Sequence, residues 1–143
     1  MKKYVLCVAT INYEEVILIK KNRPAWQDGF YNFPGGKIEE SETSDQACIR
    51  EFLEETGIDT SRNSVDWCAW YQVGQIIGYD YVVDIWHSDY ETFNKVKTMT
   101  DEEVVKIKIS DLPNMRSQLI HNVSAIIENC LDTSMKHFSM QYL

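Results

Sequence analysis

Three glutamates, Glu51, Glu54 and Glu55, stand in the run Arg50-Glu51-Phe52-Leu53-Glu54-Glu55. On a helix turning 100° per residue they fall within about 100° of arc, and Ile49, Phe52, Leu53 and Thr56 take the opposite side. Carboxylates crowded on one stripe repel one another, so such a face is either well solvated or occupied by a cation. Hard oxygen donors of this kind suit Mg²⁺, with Mn²⁺ as a substitute. Metal on a rigid acidic helix suits the hydrolysis of a phosphoanhydride, which requires neutralised phosphate oxygens, an aligned water and a base to activate it. Taken alone, Glu-x-x-Glu-Glu is ordinarily a solvated helix face, and its setting must decide.

The helix that would carry these acids has clear ends. Thr43-Ser44-Asp45-Gln46 has the Thr-x-x-Gln form of a capping box, and Gly57 stands where a helix would stop. Ahead of it, Asn32 to Glu40 contains Pro34-Gly35-Gly36, read as a shaped loop outside regular structure. Residues 3–11 and 15–20 read as a hairpin around Asn12-Tyr13-Glu14, and residues 65–73 and 79–87 as a second strand pair flanking Gly74 and Gly78. A short strand is expected over 104–109. Beyond Pro113, Leu119, Ile120, Val123, Ile126, Ile127 and Leu131 recur at helical spacing, and residues 133–143 are expected to fray. Hairpin and crossover connections together imply an α/β fold, a mixed β-sheet sandwiched between helices as α/β/α.

A chain of 143 residues with 44% hydrophobic side chains suits one domain, 1–143. Its 14 basic against 22 acidic side chains give a net charge of −8, which disfavours a nucleic-acid polymer bound through a basic patch. Cys7, Cys48, Cys68 and Cys130 form no CxxC pair and carry no zinc-ligand spacing, so they read as small buried hydrophobes in a reducing, cytoplasmic setting. The apolar run after Met1-Lys2-Lys3-Tyr4 is too short for a signal peptide or membrane span. A monomer or homodimer is expected.

Gly36, Glu42, Arg50, Glu51, Phe52, Glu54, Glu55, Gly57 and Ile58 follow one spacing: Gly, five residues, Glu, seven residues, Arg-Glu, a bulky apolar, any residue, Glu-Glu, any residue, Gly, apolar. From average residue frequencies the fixed identities recur by chance on the order of once in 10⁸ windows. In this pattern the chain resembles the Nudix hydrolases, with Phe52 where Ile, Leu or Val is usual. The resemblance implies that Glu51, Glu54 and Glu55 bind divalent cations together with the carbonyl of Gly35 or Gly36. It also implies that Arg50 orients a neighbouring carboxylate and that Glu42 braces the loop against the helix.

Tyr31 to Glu39 looks like the corresponding loop of MutT-type nucleoside triphosphate pyrophosphohydrolases, including those acting on oxidised dGTP. The resemblance implies a small nucleotide substrate, cleaved to monophosphate and pyrophosphate. Asn32 would read a purine edge or merely satisfy a turn. Lys21, Arg23 and Lys37 would hold phosphates or remain solvated. Trp26, Tyr71, Tyr79 and Tyr81 are candidate stacking platforms, each equally open to a packing role. Among Asp101, Glu102 and Glu103, an acid from outside the signature is expected to complete the metal site, and Glu102 or Glu103 is favoured. Asn114-Met115-Arg116-Ser117 lacks the paired acids of the best-known oxidised-purine enzyme, which puts that base preference in question. No proline lies between Gly36 and Leu112, unlike many ADP-ribose pyrophosphatases. ADP-ribose, dinucleoside polyphosphates and a non-catalytic sensing role complete the alternatives.

Overall fold

Side-chain alternation along the first strand, β1 (Lys2–Ile11), sorts the protein into two cores. Val8 packs in one cluster with Val16, Leu18, Ile126 and Ile127, whereas Cys7, Ala9 and Ile11 pack in the other with Ile17, Cys48 and Phe52. Both faces of the sheet are thus covered, as successive residues of a strand point to opposite sides. The computed structural model describes residues 1–132 and 137–142.

The strands are β1, β2 (Glu15–Lys20), β3 (Tyr31–Asn32), β4 (Gly35–Lys37), β5 (Tyr71–Ile77), β6 (Tyr81–Asp89), β7 (Val104–Lys108) and β8 (Phe138–Gln141). They form one mixed sheet in the order β3-β2-β1-β6-β5-β8, with β4 paired to β1 and β7 to β2. β1 runs parallel to β6 from Lys2↔Tyr81 to Thr10↔Asp89 and antiparallel to β2. Helix α1 (Ser44–Thr56) covers the Cys7 face, and α2 (Val123–Leu131) covers the Val8 face. The expected α/β/α sandwich is therefore present.

Local chemistry explains the turns. Asn12 and Tyr13, at φ 53° and 56°, make the left-handed hairpin turn whose twist matches its strands, and the Tyr13 N–H donates to Asp89 Oδ1 at 2.8 Å. Thr10 Oγ1 gives its own hydrogen to Asp89 Oδ1 at 2.8 Å, so it accepts from His87 Nε2, also at 2.8 Å. For α1, Gln46 Oε1 accepts the Thr43 N–H at 2.9 Å as part of a capping box, and Gly57 ends the helix at φ 80°.

Several expectations are corrected. Residues 65–70 are not strand: Val65 is 98% exposed, and the strand starts at Tyr71 and runs through Gly74. Gly74 sits at a register shift, and a Cβ there would come within 2.6 Å of the Phe138 carbonyl, so the missing side chain admits β8. Residues 138–141, expected to fray, pair in parallel with β5 from Gly74↔Phe138 to Ile77↔Gln141. The rest of that expectation, 133–136 and 143, lies outside the described residues. Gly35–Lys37, read as irregular loop, is a strand on β1. Ile109–Gln118 is 3₁₀ helix, so Leu119 and Ile120 reach the core ahead of α2. Cys7, Cys48 and Cys68 are buried and unpaired, and Cys130 is half-buried. Among the described residues no helix is long and apolar enough to cross a membrane.

Candidate active site

β4 brings its backbone against α1. A Cβ on Gly36 would collide with the Glu51 carboxylate, and the Gly35 N–H donates to Glu55 Oε2 at 3.2 Å. The far end of the Glu51 side chain could yield at position 36, whereas at Gly35 a Cβ would meet the Val5 carbonyl of the paired strand, so the close approach of β4 to β1 requires glycine at position 35.

Arg50 locks the arrangement. Its Nε and Nη2 reach Glu42 at 3.0 and 2.5 Å, Nη1 reaches Glu51 Oε1 at 2.9 Å and Glu54 Oε2 at 3.3 Å, and Nη2 also donates to the Lys37 carbonyl at 2.9 Å. One planar fork thus ties the loop, β4 and two helix acids together. The Arg50 bond holds the Glu42 carboxyl below its usual range, against the opposing effect of burial and with help from the Glu39 N–H.

The acid stripe is less solvated than its sequence implied. Glu51 has a side-chain exposure of 13% and Glu54 of 55%, whereas Leu53, assigned to the core side, is 40% exposed. The helix is rotated so that Glu51 and Glu55 turn toward β4. Burial raises the Glu51 pKa, with the bond and charge of Arg50 opposing and the charge of Glu54 adding to the rise. Burial, then the charge of Glu51, pushes Glu55 up to about 8; Lys21 and the Gly35 N–H oppose this, and Glu102 adds to it.

Glu102 is the outer acid that the structure brings to this cluster. It is 6% exposed, with Oε2 accepting the Asn22 N–H at 2.7 Å and Oε1 accepting Lys21 Nζ at 3.2 Å. Burial alone would raise its pKa, but the Asn22 N–H, Lys21 and the Arg23 N–H together lower it. Glu103 is exposed, and its carbonyl accepts the Lys20 N–H at 2.9 Å. Asp101 is also exposed and pairs with Arg23 Nη2 at 2.7 Å. Lys21 and Arg23, expected on substrate phosphates, are therefore engaged within the chain. The Lys37 side chain is exposed.

Asn32 accepts the Phe33 N–H at 2.8 Å and donates to Gln27 Oε1 at 3.2 Å, so its amide is held by the turn. Trp26, Tyr71 and Tyr79 are 63%, 68% and 91% exposed, while Tyr81 packs on the α2-side core. Trp26 lies in the 3₁₀ turn Ala25–Gln27 and so sits beside Asn32's partner Gln27. Among the described residues, the buried Asn122 Oδ1 has no hydrogen-bond partner. Asn122 stands just ahead of α2, where side-chain amides commonly cap helices.

Among the described residues, no three carboxylate, imidazole or thiol groups form a ready-made metal cluster. The donor chemistry nevertheless fits a hard divalent cation. Glu51 and Glu55 are crowded beside a glycine backbone that leaves their carboxylates room, and their mutual repulsion is what a cation would relieve.

A mixed sheet between two helical layers thus carries an arginine-braced acidic helix against a glycine strand. The NUDIX domain model matches residues 2–122, and the chain belongs to that family. The chain is 40% identical over 50 residues to the 8-oxo-dGTP diphosphatase of Proteus vulgaris, covering 35% of this chain and 45% of that one. It is 42% identical over 60 residues to the 8-oxo-dGTP diphosphatase of Escherichia coli K12, covering 41% and 46%. The matched segments thus span about half the length of these curated relatives. Among solved structures, the NUDIX domain of Shewanella oneidensis NrtR, complexed with ADP ribose, superposes with a TM-score of 0.73 at 16% identity, covering 90% of this chain and 84% of that one. This last likeness is one of fold.

Proposed function

We propose that the protein is a divalent-cation-dependent pyrophosphohydrolase that splits a purine nucleoside triphosphate, 8-oxo-dGTP being the leading candidate, into the monophosphate and pyrophosphate. The observation that carries this reading is the closure of the Gly36 backbone on Glu51, beside Glu55, on a helix braced by Arg50. Glu51, Glu54 and Glu55, with Glu102 and a Gly35 or Gly36 carbonyl, would hold Mg²⁺ or Mn²⁺. When bound, the cation supplies neutralisation of phosphate oxygens and activation of water.

The chain's own residues supply orientation and proton transfer. Arg50 fixes one oxygen each of Glu51 and Glu54. Glu55, whose Oε2 accepts the Gly35 N–H, is the carboxylate assigned to take the proton from the attacking water. Arg23, exposed in its pair with Asp101, can exchange that partner for a terminal phosphate, and Lys37 offers a second charge. Trp26 provides a stacking face, and Asn32 has one N–H left for a purine edge.

Phosphorus-31 NMR of products from 8-oxo-dGTP, dGTP, dATP, dCTP and ADP-ribose tests the reading. Pyrophosphate with nucleoside monophosphate is the expected pair, and it should vanish in excess EDTA. Orthophosphate as the first product would overturn the cleavage position. Faster turnover of ADP-ribose than of every triphosphate would overturn the substrate class.

A further inference from the structure

The lysine expected to reach for substrate points inward. Lys21 directly follows β2, and its backbone is pinned on both sides: its N–H donates to the Phe30 carbonyl at 2.8 Å, and its carbonyl accepts the Gly29 N–H at 2.8 Å. With the backbone fixed, Nζ reaches Glu102 Oε1 at 3.2 Å, in a pair whose side chains are 17% and 7% exposed. The other Glu102 oxygen is saturated by the N–H groups of Asn22, at 2.7 Å, and Arg23, at 3.4 Å. Glu102 therefore stays seated by backbone whether or not the lysine is present. Arg23, two residues on, contrasts with this: its pair with Asp101 is 64% and 62% exposed and open to exchange.

We propose that Lys21 is a built-in counter-ion, holding against Glu102 a positive charge that a divalent cation would otherwise supply, and thereby weakening cation uptake by Glu102 and the acids of α1. This inference rests on the metal-binding reading above. Glu55 feels both charges, that of Lys21 favouring its ionised form and that of Glu102 opposing it, which places all three groups within one another's fields. A resident ammonium keeps the acids from repelling one another before substrate arrives, and it repels an incoming cation.

Mn²⁺ binding, read from the electron paramagnetic resonance of the free ion without nucleotide, tests the proposal in wild type, Lys21→Met and Lys21→Arg. The methionine keeps the buried stem and removes the charge. It should bind Mn²⁺ about tenfold more tightly, while the arginine variant should match wild type. Unchanged or weaker binding by Lys21→Met would overturn the inference and leave the metal reading standing. Absence of Mn²⁺ binding by wild type itself would overturn the metal reading and this inference with it. If thermal melts show Lys21→Met unfolded, Lys21→Gln, which keeps a donor for Glu102 Oε1, decides in the same way.

Discussion

Removing the Arg50 side chain should cost stability that can be apportioned from its contacts. Glu42 and Glu51 are 14% and 13% exposed at the side chain, so both would keep a carboxylate shielded from water without its cation. Fully buried pairs broken this way lose about 3–5 kcal/mol, but Arg50 is itself 28% exposed, which reduces the figure to about 2 kcal/mol. The pair with Glu54, 55% exposed and four residues on, adds about 0.3 kcal/mol. With an unfolding entropy of about 0.3 kcal/mol/K for a chain of this length, Arg50→Ala should melt about 8 °C lower at pH 7. The sign of the pH effect follows from Glu42, whose pKa the Arg50 bond lowers. That contribution is present above the unfolded carboxylate value of about 4.3 and is lost as pH falls through the lower folded value. The gap between Arg50→Ala and wild type should therefore hold from pH 7 to about pH 4.3 and narrow in melts taken below that value, followed by circular dichroism. Arg50→Lys should recover only part of it, because an ammonium cannot fork across Glu42. A fall of less than about 0.5 kcal/mol, within the range of an ordinary surface change, would refute the view that Arg50 organises the site.

Glu54→Gln and Glu55→Gln should each lower kcat by at least about 10²-fold; unaltered steady-state rates would show the acids to be ordinary surface charge. Since burial disfavours an ionised Glu55, Glu55→Gln should also unfold at a higher urea concentration than wild type. Phe52, fully buried with ring centroids 5.2 Å from Trp70 and 5.1 Å from Phe93, should cost about 3–5 kcal/mol on truncation to alanine, measurable by the same urea titration. Burial lowers the His87 pKa, with Asp89 opposing, so the unfolded chain binds the proton first and stability should drop as pH falls below about 6.5 toward the lower folded value. His87→Gln should remove that slope between pH 7 and 5, and an unchanged slope would assign it elsewhere.

The acidic helix was legible because its signals are local: Thr43 and Gln46 cap it, Gly57 stops it, and the spacing of Glu51, Glu54 and Glu55 follows from helical geometry alone. Its rotation was not, since which side faces β4 depends on a contact between Gly36 and Glu51 that no helical period records. Leu53 shows the same limit, being apolar and yet exposed. Strand β8 escaped because Phe138–Gln141 is short and gains its hydrogen bonds from β5, more than sixty residues earlier, through a glycine that read as a turn. The choice between Glu102 and Glu103 likewise needed the tertiary partners Lys21 and Asn22.

The cysteines turn the junction between α1 and the sheet into a place that can be timed. Cys48 on α1 and Cys7 on β1 are both fully enclosed, with Cys7 Sγ donating to the Cys48 carbonyl at 3.5 Å. A thiol reagent can meet either only when the acid-bearing helix lifts from the strand, so labelling rates at these two positions clock that opening against global unfolding. Cys130, half-buried on α2, serves as the reference on the opposite layer. The native chain thus already contains the probes with which to ask whether occupying the carboxylates clamps the helix down.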